Sequence, residues 1–136
     1  MGWVLPIMWY VVALGAVGVT TKLALRTLSW QDLILWVGVG YVLVAGILLA
    51  LGQAKWRFVG DTSWALVTTG LVISSLIALY IALGNAEASK VIPVSAAYPA
   101  VTLFLSALVL SERVSVARVA GAGLVVVGVV VLTAAR

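Results

Sequence analysis

The stretch 88-ASKVIPVSAAYPAVTLFLSALVL-110 decides the fold, because it reads as one membrane-spanning helix with a proline in its middle and a polar stripe down one side. Ser95, Tyr98, Thr102 and Ser106 fall at i, i+3, i+7 and i+11, so at about 3.6 residues per turn they share a face, with Pro99 in the same stripe. Ala97, Val101, Phe104 and Leu108 make the opposite, apolar face. Pro99 has no backbone N–H, so the carbonyl of Ser95 loses its usual partner and the helix is expected to bend there. In hydrocarbon that carbonyl needs another donor, which a neighbouring helix, a side chain, a water or a ligand can supply. Two readings of the stripe stay open: a cavity wall, or Ser and Thr packing between helices.

Working outward, the whole chain has the composition of a bilayer protein. Of its 136 residues 65% are hydrophobic and 9% charged, with a mean hydropathy of +1.28. Apolar runs of about 17 to 23 residues recur from end to end, each long enough to cross a membrane. They leave nothing for a soluble domain, so residues 1–136 are expected to form a single transmembrane domain. There is no histidine and no cysteine, which excludes imidazole and thiol catalysis, disulfides and the usual zinc sites. No enzyme, metal site or cofactor is expected. The net charge of +4 sits at the ends of apolar runs, where it suits lipid headgroups rather than nucleic acid. The first apolar run lacks a basic leader and a small-residue cleavage site, so it is expected to be retained as a helix.

Five helices are predicted. The first covers Trp3 to Thr21, with Pro6 in its first turn and Lys22 and Arg26 after it. Their long side chains are expected to reach the headgroups. Ser29 and Asp32 have the spacing of a capping box that starts the second helix at Trp30. It runs to Leu51 and stops at Gly52. A short interfacial loop, Gln53 to Ser63, carries Lys55, Trp56, Arg57 and Asp61. The third helix spans Trp64 to Leu83, with Gly84 and Asn85 as stop residues. Gly70, Ser74, Ala78 and Ala82 form a small-residue ridge along it. Pro93 suggests that regular helix in the fourth span begins some residues after Ala88. Ser111 to Val114 make a tight connection, Ser115 caps the last helix, and that helix runs from Val116 to Ala134 with Ala117, Gly121 and Gly128 on one side. Trp3, Trp30, Trp56 and Trp64 fall at helix ends, as an aromatic belt requires.

An odd number of spans puts the termini on opposite sides of the membrane. Lys55, Arg57, Arg113 and Arg118 then lie on the N-terminal side, and Lys22, Arg26, Lys90 and Arg136 on the other. Basic residues near helix ends set orientation, and equal numbers give almost no signal. Insertion in both orientations and head-to-tail pairing is one expectation, and a single orientation set by another feature is the alternative. Asp32, Asp61, Glu87 and Glu112 all fall at helix ends or in loops, so no carboxylate occupies the membrane centre where a proton relay would need it. Tyrosines ordinarily titrate near pH ~10 and are poor proton carriers at neutral pH.

The C-terminal run 81-IALGNAEASKVIPVSAAYPAVTLFLSALVLSERVSVARVAGAGLVVVGVVVL-132 resembles the EamA-type half-repeat of the drug/metabolite transporter superfamily. The resemblance rests on the short connection before the fourth helix, the Tyr-Pro within it, the Leu-Ser-Glu-Arg-Val-Ser junction and the glycine-punctuated last helix. With five helices the chain resembles the single-repeat, bacterial/archaeal transporter branch. That resemblance implies one inverted-repeat half of a ten-helix architecture, and hence an antiparallel dimer that rebuilds the central cavity. 19-VTTKLALR-26 is also similar to the small multidrug resistance branch, whose coupling glutamate lies roughly two turns before the lysine. Here that region is Ala13, Leu14, Gly15 and Ala16, with no carboxylate.

The leading expectation is a small-molecule or metabolite transporter, multi-pass in the cell membrane of a prokaryote, surrounded by membrane lipid and working by alternating access as an antiparallel homodimer without a membrane carboxylate for proton coupling. Candidate substrate-binding residues are Ser95, Tyr98, Pro99 and Thr102, then Ser74, Ser75 and Tyr80, then Trp9 and Tyr41. The alternative is a non-transporting membrane subunit or regulator that packs against another membrane protein and needs no cavity.

Overall fold

The computed structural model describes residues 2–134, and every regular element in them is a helix. The elements are α1 (Val4–Ala24), α2 (Trp30–Ala50), α3 (Thr62–Asn85), α4 (Ala88–Ser95), α5 (Tyr98–Val109) and α6 (Val116–Ala134). By length and composition they provide five membrane spans of 19 to 24 residues, α4 and α5 together making the fourth, Ala88–Val109. At 1.5 Å per residue each can cross a hydrocarbon core of about 30 Å. Arg136, one of the cations in the orientation tally, lies outside the described residues.

Local hydrogen bonding explains most helix ends. Before α2, the Asp32 N–H donates to Ser29 Oγ at 3.2 Å and the Ser29 N–H donates to Asp32 Oδ2 at 2.9 Å, completing the reciprocal capping box. At its other end Gly52 has φ +67°, a conformation that costs a residue without Cβ nothing. The Gln53 N–H then returns to the Leu48 carbonyl and the Gly52 N–H to that of Leu49. α3 extends two residues beyond its predicted range at each end. Thr62 bonds its hydroxyl to the Val59 N–H, and Asn85 turns its amide back to the Ile81 carbonyl at 2.8 Å. Ser115 accepts from the Arg118 N–H with both its hydroxyl and its carbonyl, and α6 begins at Val116.

The fourth span departs from the single bent helix expected of it. It is two helices separated by a turn at Ala96 and Ala97. Pro99 occupies the first turn of α5, where a missing N–H costs nothing, whereas in a continuous helix its ring would clash with the Ser95 carbonyl and leave that carbonyl without a donor. Bonds of the i to i+3 type fill the gap: Ala96 to Pro93, Ala97 to Val94 and Ala100 to Ala97, each 3.1 Å. The expectation that Pro93 delays the start of helix is also corrected. α4 begins at Ala88 and contains Pro93, with the Lys90 and Val91 N–H groups both bonded to the Glu87 carbonyl at 3.0 Å.

The helices form two compact units. One holds α1 as far as Gly18 together with α4, α5 and α6; the other, Val19–Asn85, holds the end of α1 with α2 and α3. In the first unit α6 packs on α4 and α5. α1 meets α4 closely at Gly18, where a Cβ would lie 2.5 Å from Ile92 Cγ1. Gly18→Leu therefore overpacks a tight contact and should lower stability by about 1–3 kcal/mol. Ile92→Ala in the same chain should recover much of that loss in a detergent melting experiment. Gly15→Leu is the control, since nothing lies within 4 Å of Gly15.

Candidate functional site

In the Val19–Asn85 unit, α2 and α3 enclose a cavity of about 590 Å³ lined by Ile34, Val37, Gly38 and Tyr41 from one helix and by Thr68, Thr69, Val72, Ile73, Leu76 and Tyr80 from the other. The size is that of a small-molecule site, and the wall is apolar with a few polar groups, the usual chemistry of such sites. Tyr41 and Tyr80 line the cavity from opposite helices, and Tyr80 is 4% exposed while Tyr41 is 63% exposed. The hydroxyls of Thr68 and Thr69 donate to the carbonyls of Trp64 and Ala65, so their methyl groups rather than their O–H groups are free for the cavity.

One end of this unit is its best-packed part. Thr21, Tyr80 and Leu83 are buried, and the Lys22 ammonium donates to the Leu83 carbonyl at 2.6 Å. A cation on a last-turn carbonyl of α3 satisfies a group that the helix itself leaves open and complements the helix dipole. The expectation that Lys22 reaches only to headgroups is thus refined: its ammonium ties the end of α1 to the end of α3.

In the other unit the Tyr98 hydroxyl interacts with that of Tyr10, across α5 and α1. Tyr98 is 53% exposed, and Trp9 on α1 is also exposed. Ser95 closes α4 and donates to Ile92, and Thr102 on α5 donates to Tyr98, both to backbone carbonyls. A second, wholly apolar cavity of about 510 Å³ lies between α5 and α6, on the side of Ala100, Leu103, Phe104 and Ala107. It is built of hydrocarbon and offers no group to orient a polar ligand.

Of the nine candidate residues the structure brings Tyr41 and Tyr80 together in one cavity. Ser95, Tyr98, Pro99 and Thr102 gather about the break between α4 and α5. Ser74 and Ser75 lie on α3 outside the cavity wall and donate to Leu71 and Val72 of their own helix. Thr68, Thr69 and Tyr10 were missed. Thr69, Val72, Leu76 and Tyr80 have the spacing i, i+3, i+7 and i+11, the same periodicity that marks Ser95 to Ser106.

The four acids lie away from the span interiors. Asp32 belongs to the α2 cap, Glu87 precedes α4 and pairs with Lys90 at 3.3 Å, and Asp61 and Glu112 are in connections. Among the described residues no three His, Cys, Asp or Glu side chains cluster to hold a metal.

Five apolar spans define a multi-pass membrane protein. The family model described as the EamA-like transporter family matches residues 1–134. The chain belongs to that family. It is 30% identical over 119 residues, 85% of its own length and 87% of the other's, to the uncharacterized protein MJ1333.1 of Methanocaldococcus jannaschii. No solved structure matches it.

Proposed function

We propose that the protein carries a small metabolite across the cell membrane of a prokaryote by alternating access, as an antiparallel pair of copies each acting as one domain. Its membership of a transporter family over residues 1–134 carries this reading. The archaeal relative supports the prokaryotic setting. Inverted repeats enclosing a midplane site are a recurring transporter architecture, and a five-span chain provides one repeat. The equal division of cations between the two sides supports insertion both ways up. The Tyr41 and Tyr80 rings, with Tyr98 and Trp9, offer aromatic faces for a planar or cationic substrate, and Ser95, Thr102, Ser74 and Ser75 offer hydroxyls.

Topology tests the pairing. The chain has no native cysteine. Single cysteines replacing Ser63 and Ser111, both on the N-terminal side, should each react with an impermeant maleimide from either face of the membrane. Reaction from one face alone would sink the dual orientation. Two lysines added to the 53–63 loop should impose one orientation and lower transport unless an oppositely biased partner is co-expressed.

Coupling follows from the placement of the acids. With no carboxylate deeper in a span than Asp32 in the first turn of α2, a substrate without net charge should equilibrate across proteoliposomes without accumulating, and collapsing an imposed pH gradient should leave its initial rate unchanged. Uphill accumulation driven by that gradient would falsify this; its loss in Glu87→Gln or Lys22→Met would name the carrier.

A further inference from the structure

We propose that the α2–α3 connection is a binding site for the anionic headgroup of a glycerophospholipid. From Ala54 to Val59 the chain adopts neither helix nor turn. Trp56 and Phe58 stack with ring centroids 6.5 Å apart and planes 12° from parallel. That separation is twice the roughly 3.3 Å rise of an extended chain, so the two rings stand on one edge of a ribbon. Lys55 and Arg57 alternate with them and therefore stand on the other edge. Both rings are open, Trp56 at 82% and Phe58 at 84% exposed, and among the described residues Lys55 and Arg57 form no ion pair.

The ribbon is tied to the ends of the two spans that flank it, which sets it at the level of the membrane surface in this proposal. Gly52 turns the chain out of α2, and the Thr62 hydroxyl, at the start of α3, accepts from the Val59 N–H at 2.9 Å and donates to the Arg57 carbonyl at 3.4 Å. Trp64 follows in the first turn of α3, at the level where indole rings gather in a bilayer. A ribbon held there meets two environments at once. Its aromatic edge suits the boundary between headgroups and acyl chains, and its cationic edge then lies among phosphates, where the Arg57 guanidinium can hold two phosphate oxygens and the Lys55 ammonium a third. Charge selects the ligand: an anionic phospholipid gains from both cations, whereas a zwitterionic one carries a compensating ammonium.

Photo-crosslinking tests this on the full chain. Phe58 is replaced by benzoylphenylalanine, the protein is reconstituted into equimolar phosphatidylglycerol and phosphatidylcholine, and lipid adducts are identified by mass after irradiation. Phosphatidylglycerol adducts should exceed phosphatidylcholine adducts by about fivefold or more, the scale of one surface cation. Adding Lys55→Gln and Arg57→Gln should bring the ratio close to one while total lipid adduct persists, since the aromatic edge is unchanged. Salt at about 1 M should shrink the preference in the parent protein. Equal adducts with both lipids in the parent would overturn the proposal. So would adducts to protein in place of lipid, which would make the ribbon a contact between polypeptides, or a preference that survives removal of both cations.

Discussion

Tyr98→Ala should lower transport by about 10-fold or more at unchanged protein level, since a single methylene of mismatch in a pocket already costs about 10- to 200-fold. The side chain stands at the start of α5, directly after the turn that splits the fourth span, and its hydroxyl interacts with Tyr10. Truncation removes both the ring and that polar link between α1 and α5. Tyr98→Phe keeps the ring and should retain more activity than Tyr98→Ala. Leu108→Ala is the control on the same helix, on its apolar face and 69% exposed, and should stay close to wild type. Equal loss in Tyr98→Ala and Leu108→Ala would mean general destabilisation, and equal retention would move the site away from α5. The same assay on Tyr80→Phe and Tyr80→Ala weighs the α2–α3 cavity, since Tyr80 is both buried and a wall residue.

If the proposed pair of copies meets through Gly121 and Gly128 of α6, Gly121→Leu and Gly128→Leu should each shift the detergent-solubilised protein from dimer to monomer. Among the described residues nothing lies within 4 Å of a Cβ at either position. The expected cost of a larger side chain there comes from a second copy packed on α6. Small residues let two helix backbones approach, and a leucine at the contact pushes them apart. Dimers that persist in both variants would leave this face of α6 to lipid and place the contact between copies on another surface. Gly18→Leu separates the two cases, since its cost falls within the protomer, against Ile92.

The number of spans and most helix boundaries were legible in the sequence because long apolar runs and caps are local. Ser29 and Asp32, Gly52 and Ser115 act within one turn of themselves, and α2 and α6 begin where those residues put them. The split of the fourth span was only half legible. Pro99 announced a lost bond, but whether the helix bends or breaks depends on what its freed groups find, and the i to i+3 bonds at Ala96, Ala97 and Ala100 favour a break. Helical period places Thr69, Val72, Leu76 and Tyr80 on one face of α3, whereas Tyr41 meets Tyr80 in one cavity only through the packing of α2 on α3. Ser74, Ser75, Ser95 and Thr102 were chosen for their hydroxyls. In an apolar setting a hydroxyl turns to the nearest carbonyl, three or four residues back on its own helix, and all four do so. Which helix packs on which was the least legible, because outside the fourth span the helices are apolar on nearly every side and carry no single core-facing stripe. The Lys22 bond to Leu83, between residues 61 apart, could not be read from spacing alone.

Transport itself is the central claim, and solute counterflow in proteoliposomes measures it most directly. Liposomes preloaded with a panel of unlabelled amino acids, organic acids, nucleosides and quaternary amines are diluted, one compound at a time, into trace amounts of the same compound in labelled form. At least one compound should accumulate transiently with the wild-type protein, and that signal should be absent from protein-free liposomes and strongly reduced with Tyr98→Ala. A well-inserted wild-type protein that moves no compound faster than protein-free liposomes do would contradict the account and favour a membrane subunit that packs against another protein.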